Sequence, residues 1–265
     1  MNSNIEAILL GIVQGLTEFL PVSSSGHLEI AQYFLGEKQD LNSGLLMTVT
    51  LHAATALATI FVFRKEIGII LAGLFKSKIN ESHLFSRNII LSMIPAVFVG
   101  LLWEDEIDQL FEGQIVLVSG LLLVTAGILY WADQAKSGTK EVGPKEAFLI
   151  GIAQMIAILP GVSRSGATIS ASVILGIQRT EAARFSFLMV IPIILGKMAK
   201  DLLDGAFNVK EFSLAPLALG FIAAFLTGLF ACNLMIKVVQ RSKLGYFALY
   251  CLIVGAGMLL YLATN

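Results

Sequence analysis

Two short polar segments interrupt long apolar stretches of this sequence, and the first of them holds most of the candidate chemistry. Gln14 and Glu18 are four residues apart, so they lie on one face of a helix. Pro21 ends that helix, and the serines that follow can cap the next helix, whose free N–H groups then point into the break. His27 falls in the first turn of this next helix. The segment therefore brings a carboxylate, several hydroxyl groups and an imidazole close together.

The second polar segment runs from Pro160 to Thr168 and carries Arg164 between two serines. A charged arginine at mid-membrane depth costs at least about 2.5–3.5 kcal/mol on insertion scales, so it needs an anionic partner. Glu18 is one candidate. A phosphate group of a ligand is the other, because guanidinium groups bind phosphate in bidentate fashion and helix N-termini favour anions. The two segments together predict an anion-binding cradle.

A glutamate and a histidine beside such a cradle supply a metal ligand and a proton-transfer or nucleophilic group, which suggests hydrolysis of a phosphate ester or a pyrophosphate. Structural roles stay open for both residues, since Glu18 can simply neutralise Arg164 and His27 can cap its helix. Ser24 is the serine with the best claim to a chemical role, because it occupies the position of Arg164 in an internal repeat. The remaining serines are better explained as helix caps: Ser23, Ser25, Ser163 and Ser165.

The composition indicates that these segments lie in a membrane protein. Of the 265 residues, 56% are hydrophobic and 14% are charged, and the mean hydropathy is +0.82, whereas a soluble domain carries about 25% charged residues. The net charge of −1 gives no support for a nucleic-acid partner. We predict an all-α integral membrane protein. Six stretches are long and apolar enough to span a bilayer: 44–63, 87–103, 115–132, 183–200, 216–237 and 244–263.

Two further apolar regions, 5–36 and 145–176, are broken in the middle by Pro, Gly and Ser. A break at membrane depth persists only where protein or a water-filled cavity satisfies the backbone. We therefore predict two re-entrant helical hairpins, each entering and leaving on one side. The shorter apolar segment 67–75 is expected to lie at the membrane interface.

The basic residues predict the orientation. Thirteen of the 18 Lys and Arg residues fall in the loops 64–87, 133–145, 177–184 and 237–243, and four fall on the opposite side. The rule that basic loops stay in the cytoplasm then places both termini outside. Successive loops alternate between the two sides of the membrane only if each broken region is a hairpin that returns to the side from which it entered.

The two broken regions are copies of one another. Residues 6–26 align with residues 146–166 without gaps, and 10 of the 21 positions are identical, among them Glu, Gln, two Ser and two Gly. Three predicted spans separate the copies, so the second is inverted relative to the first. We therefore predict an inverted repeat of residues 1–132 and 145–265, in which the hairpin tips meet near the midplane.

In these motifs the chain closely resembles the undecaprenyl-diphosphate phosphatases of bacteria, the bacitracin-resistance family. The matching motifs are Gln14-x-x-x-Glu18, Pro21-Val-Ser-Ser-Ser-Gly-His27 and Pro160-Gly-Val-Ser-Arg-Ser-Gly-Ala-Thr168. The length and the number of spans also fit, so the resemblance covers the whole chain. Lipid phosphatases of the acid-phosphatase type do not fit, because they need a histidine where Ser170 stands.

The resemblance implies hydrolysis of undecaprenyl diphosphate at the outer face of the bacterial cytoplasmic membrane, which recycles the lipid carrier of wall synthesis and confers bacitracin resistance. It implies a divalent cation, Mg²⁺ or Ca²⁺, and by motif position Glu18 would bind this metal or assist proton transfer. Some members have Glu where this chain has Gln14, so a second carboxylate is missing here. It also implies that Arg164 holds the diphosphate and that Ser24 or His27 is the nucleophile or activates it. Phosphate contacts are expected from the other site residues: Gln14, Ser23, Ser25, Ser163, Ser165 and Thr168.

The mechanism that follows has His27 deprotonating either Ser24 or a water molecule for in-line attack on the terminal phosphorus. The competing class is a polyprenyl-phosphate transporter, because broken helices in inverted repeats are frequent in transporters. The grouping of Glu18, Ser24 and His27 favours the enzyme. The partners expected are the lipid substrate and the bilayer, and a homodimer is left open.

Overall fold

The computed structural model describes residues 3–35, 41–111, 113–136, 138–203, 213–240 and 243–264. The end of the first predicted hairpin at Gly36 and part of the loop 237–243 lie outside the described residues. Within the described ranges the chain forms helices joined by short connections. Their bounds are α1 Ser3–Thr17, α2 Ser24–Leu35, α3 Leu41–Val62, α4 Arg64–Leu74, α5 Glu81–Leu102, α6 Glu104–Leu110, α7 Ile115–Gln134, α8 Pro144–Ile156, α9 Arg164–Ile174, α10 Arg179–Leu203, α11 Leu214–Gln240 and α12 Gly245–Thr264.

Five of the described helices, α5, α7, α10, α11 and α12, are long and apolar enough to cross a membrane. A sixth candidate is the pair of α3 and α4, which passes the same test together but is bent by 77°. The protein is therefore an all-α, multi-pass membrane protein with five or six candidate spans. The predicted spans fall within these helices or within a residue or two of their ends.

The differences at helix ends have local causes. The helix that contains the predicted span 87–103 begins earlier, at Glu81, because Asn80 caps it. The Asn80 side chain accepts a hydrogen bond of 2.9 Å from the Ser82 N–H. The apolar segment 67–75 belongs to the separate helix α4, which leaves α3 at the bend next to Phe63. Basic and acidic residues at its start and exposed apolar residues along it suit an interfacial helix.

Each broken region consists of two helices and a turn. α1 contacts α2 and α8 contacts α9, so the chain folds back at both breaks. Both turns use a left-handed backbone conformation, at Ser23 with φ 74° and at Gly161 with φ 97°. Glycine adopts this region without strain, whereas the serine must be held there by its contacts.

The long arms of the two hairpins each pack against a span of the other half of the chain. α1 lies along α11, and α8 lies along α5. A glycine at matched repeat positions allows each approach, since a Cβ at Gly11 would overlap with the Gly220 carbonyl oxygen and a Cβ at Gly151 would overlap with the Ser92 carbonyl oxygen. α7 packs against α12, and it also contacts α2 and α9, the helices that follow the two breaks.

This packing predicts that Gly151→Ala destabilises the protein, because the new methyl group must displace the backbone of α5 at Ser92. Overpacking of this kind costs about 1–3 kcal/mol. The thermal unfolding midpoint in detergent should fall. Gly100→Ala on α5 is the control, since a Cβ there meets nothing within 4 Å and alanine favours a helix. Equal midpoints for the two variants would contradict the close α5–α8 packing.

Candidate active site

Both breaks contain the same serine hydrogen bond, although the backbone is left-handed at Ser23 (φ 74°) and extended at Ser163 (φ −70°, ψ 117°). The Ser23 hydroxyl accepts a hydrogen bond of 3.2 Å from the Gly26 N–H, and the Ser163 hydroxyl accepts one of 3.0 Å from the Gly166 N–H. In both turns the serine two residues later lies 3.3 Å away, oxygen to oxygen. These four serines therefore start the helices α2 and α9 and are occupied by contacts within the protein.

The tips of the two breaks touch. A Cβ on Gly26 would lie 3.1 Å from the Gly161 Cα, and a Cβ on Gly166 would lie 3.4 Å from the Pro21 Cβ. The Ser165 hydroxyl donates a hydrogen bond of 3.3 Å to the Leu20 carbonyl. Because both tips are narrow, the N-termini of α2 and α9 lie next to one another.

Glu18 is the centre of the site, and each of its carboxylate oxygens is bound. Arg164 Nη2 forms an ion pair with Oε1. Oε2 accepts a hydrogen bond of 2.7 Å from the Ser24 hydroxyl and one of 3.1 Å from Gln14 Nε2. The side chains of Glu18 and Arg164 are 6% and 19% exposed, so each charge depends on the other for its partner in an apolar surrounding.

Two polar atoms of this cluster have no hydrogen-bond partner among the described residues: Gln14 Oε1 and Arg164 Nη1. Both are buried. Buried polar atoms are nearly always paired in native proteins, so an unpaired donor and an unpaired acceptor beside one carboxylate indicate a place for a ligand.

The ring of His27 is fixed on both sides. Nδ1 lies 2.8 Å from the Ser23 carbonyl oxygen, which can only accept, so Nδ1 carries the proton. Nε2 lies 2.9 Å from the Tyr250 hydroxyl, which then donates to it. The two rings are stacked, with centroids 5.5 Å apart and planes 13° apart. Neither ring nitrogen is directed at Ser24.

This geometry corrects the expected pairing of His27 with Ser24. The Ser24 hydroxyl donates to Glu18. The reason is local: the imidazole turns back to the carbonyl four residues earlier in its own helix, and Ser24, at the first position of α2, faces the end of α1. Of the sequence-predicted residues, the structure brings together Gln14, Glu18, Ser24 and Arg164.

Thr168, expected to contact phosphate, is fully buried and bonded within the protein. Its hydroxyl bonds to the Arg164 carbonyl at 2.9 Å and to the Ser186 hydroxyl at 2.7 Å, which holds α9 against α10. Thr168 therefore stabilises the first turn of α9, which carries Arg164.

Three residues that support the site escaped the sequence interpretation: Thr125, Ser186 and Tyr250. The Thr125 hydroxyl donates to the Gly161 carbonyl at 2.9 Å and accepts from the Ser163 N–H at 3.1 Å, so it satisfies the backbone of the second break. All three are polar residues within apolar spans, and that is the one signal by which they could have been found.

A single carboxylate limits how a metal ion can bind here. Among the described residues no group of three or more His, Cys, Asp or Glu side chains could hold an ion. Glu18 and the unpaired Gln14 Oε1 are hard oxygen donors, however. Mg²⁺ is commonly held by one or two carboxylates plus substrate phosphates and water, so the donors present fit a hard divalent cation that binds together with a phosphate.

Comparison with known proteins gives a consistent result over nearly the whole chain. Residues 7–257 match the family model described as bacitracin resistance protein BacA. An undecaprenyl-diphosphatase of Christiangramia forsetii is 55% identical over 256 residues, covering 97% of each chain. One of Bacteroides fragilis is 46% identical over 257 residues, covering 94% of this chain and 95% of the relative. One of Methanobrevibacter smithii is 38% identical over 268 residues, covering 95% of both.

The position of Thr125 generates a test of how the second break is held. Thr125→Val leaves the Gly161 carbonyl and the Ser163 N–H without their partner. An unsatisfied buried polar group costs about 1–3 kcal/mol, so the unfolding midpoint should fall. Ser119→Ala is the matched control on α7, because that buried hydroxyl donates only to its own helix, at the Ile115 carbonyl. An unchanged midpoint for Thr125→Val would show that the break does not depend on this hydroxyl.

Proposed function

Since the chain belongs to the BacA family of bacitracin resistance proteins, we propose that the site described above is the active site of an undecaprenyl-diphosphatase. The protein is a membrane-bound phosphatase: it hydrolyses undecaprenyl diphosphate to undecaprenyl phosphate and inorganic phosphate, and so returns the lipid carrier to use. Bacitracin resistance follows the family's name.

The observation that carries the proposed site is the arrangement around Glu18. The hydroxyl of Ser24, the proposed nucleophile, donates a hydrogen bond of 2.7 Å to this carboxylate. Arg164 binds the same carboxylate through Nη2, and its Nη1 is unpaired. The N-termini of α2 and α9 meet beside them, and helix N-termini favour phosphate groups. A nucleophile, its base and a cradle for a dianion therefore lie together.

In the first step the Ser24 oxygen attacks the terminal phosphorus in line, and its proton passes to Glu18. The bond from that phosphorus to the bridging oxygen breaks, and undecaprenyl phosphate leaves. Arg164 stabilises the negative charge on the equatorial phosphate oxygens. In the second step water hydrolyses the phosphoserine, and the Ser24 oxygen recovers its proton from Glu18. His27, in the same helical turn as Ser24, accepts the proton of that water.

Glu18 and Gln14 Oε1 are the residues that would hold a divalent cation, Mg²⁺ or Ca²⁺, and when bound the ion would neutralise phosphate charge. Gln14 provides an amide oxygen where a second carboxylate is missing. The cluster therefore has less negative charge of its own, which favours binding of an anionic diphosphate.

We further propose six transmembrane helices and two re-entrant hairpins in an inverted repeat, with both termini outside and the site open to the outer face. The matched packing of α1 on α11 and of α8 on α5 supports the repeat. The matched glycines and the matched serine turns support it as well. The orientation depends on the basic loops. Proposed spans are α3, α5, α7, α10, α11 and α12, while homodimer formation stays a prediction.

The hydrolase and the alternative polyprenyl-phosphate transporter differ in one chemical requirement. A transporter needs the phosphate cradle but has no use for a base bonded to a nucleophile. Glu18 and Ser24 form such a pair of base and nucleophile through their hydrogen bond, so the geometry favours hydrolysis.

Arg164→Ala should lower the rate of phosphate release about 10²–10³-fold, because it removes a charge that stabilises the transferring phosphoryl group. The assay measures inorganic phosphate released from undecaprenyl diphosphate in detergent with Mg²⁺, and EDTA should also stop the release. Arg64→Ala is the control, since the exposed Arg64 lies on α4 and its guanidinium group bonds to the Phe61 carbonyl and stacks on the Phe61 ring. Well-folded wild-type protein that releases no phosphate would refute the hydrolase.

The assignment of the nucleophile has its own test. Ser24→Ala should lower the rate at least about 10³-fold, since the attacking oxygen is lost. Ser25→Ala is the matched control, because the neighbouring hydroxyl contacts Ser23 rather than Glu18. Both are measured as phosphate release at saturating substrate. If Ser24→Ala keeps wild-type activity, water rather than serine is the nucleophile.

A further inference from the structure

The contacts of His27 decide how a proton can reach it. Nδ1 is committed to the Ser23 carbonyl, which cannot take or give a proton. Nε2 is the only remaining position, and the Tyr250 hydroxyl occupies it at 2.9 Å. Any proton that moves between His27 and its surroundings must therefore pass this hydroxyl or displace it.

Tyr250 is placed for such a passage. It belongs to α12, and its neighbour Cys251 is buried with its thiol 3.9 Å from the Pro21 carbonyl, so this part of α12 lies against the first break. Tyr250 itself is 43% exposed. The hydroxyl thus links the half-buried His27 ring to a partly exposed residue of α12, and stacking of the two rings fixes their relative orientation.

We infer that Tyr250 is a further catalytic residue, which relays the proton of the hydrolytic water to His27. The inference rests on the proposed function and deepens its second step. As the water oxygen bonds to phosphorus, its proton passes to the Tyr250 oxygen, and the Tyr250 proton passes to Nε2. The phosphorus–Ser24 bond breaks, and Ser24 takes the proton that Glu18 acquired in the first step. The imidazolium then returns its proton through the Tyr250 hydroxyl to the inorganic phosphate as that product leaves.

This assignment separates the two halves of the reaction between two groups of residues. Glu18 and Ser24 form the phosphoserine, and His27 and Tyr250 remove it. A variant at Tyr250 should therefore still react with substrate but should stall as the phosphoenzyme.

The experiment uses Tyr250→Phe in full-length protein, which keeps the stacked ring and removes only the hydroxyl. We expect kcat to fall about 100-fold, the lower end of the effect of a positioned acid–base group, because water can then approach Nε2 directly. Substrate labelled in its terminal phosphate, followed by acid quenching, should show labelled protein that persists in Tyr250→Phe and in His27→Gln. Labelled protein should be absent in Ser24→Ala.

Tyr246→Phe is the matched control, since Tyr246 lies on the same helix and its ring contacts Lys243. It should behave as wild type. Wild-type kcat in Tyr250→Phe overturns the relay, and so does a slow variant that accumulates no phosphoenzyme, because a structural defect slows both steps. If the wild-type protein itself releases no phosphate, the proposed function is refuted, and this result is distinct from a failure of the relay.

A measurement on the wild-type protein tests the hydrogen bond without any variant. The chain has 3 histidines, so ¹⁵N-histidine NMR can resolve them, and His27→Gln assigns the signal. We expect His27 as the neutral tautomer protonated at Nδ1, with Nε2 shifted by an accepted hydrogen bond. A protonated Nε2 in the resting enzyme overturns the proposed direction of transfer.

Discussion

The ion pair of Glu18 and Arg164 is the interaction on which the rest of the site depends. Each charge comes from a different break, and each would be costly alone in apolar surroundings. Their pairing across the hairpin tips joins the two halves of the chain at their most polar point. The cluster around this pair still has atoms available for a ligand, since Arg164 Nη1 is an unpaired donor and Gln14 Oε1 is an unpaired acceptor.

Such a pair requires two backbone turns to meet inside a bundle of apolar helices. Serine caps and the Thr125 hydroxyl satisfy the N–H and carbonyl groups that the turns leave free. Glycines at the tips remove the side chains that would keep the turns apart, as the approach of Gly26 to Gly161 shows. Protein groups therefore satisfy the backbone of both turns, which is what a break inside a membrane would require.

The functional groups of the site come from four helices. α1 supplies the carboxylate, α2 the serine and the histidine, and α9 the guanidinium group, all held by the two breaks. α12 contributes Tyr250 from outside the hairpins, and its hydroxyl together with the Ser23 carbonyl determines the tautomer of His27. The proposed base and nucleophile, Glu18 and Ser24, are thus positioned by the two breaks, whereas the orientation of His27 depends on α12.

The sequence by itself determined what is local: the apolar helices, the two breaks, the repeat that relates them, and the polar segments that hold Gln14, Glu18, Ser24 and Arg164. Apolar periodicity and capping residues act within a few positions along the chain, so they can be recognised without a fold. Only the tertiary structure decided which partner each polar group takes. His27 binds Tyr250, 223 positions away, and Thr125 binds the turn at Gly161, 36 positions away. Those pairings depend on how α7 and α12 pack against the hairpins, and no pattern of neighbouring residues encodes that geometry.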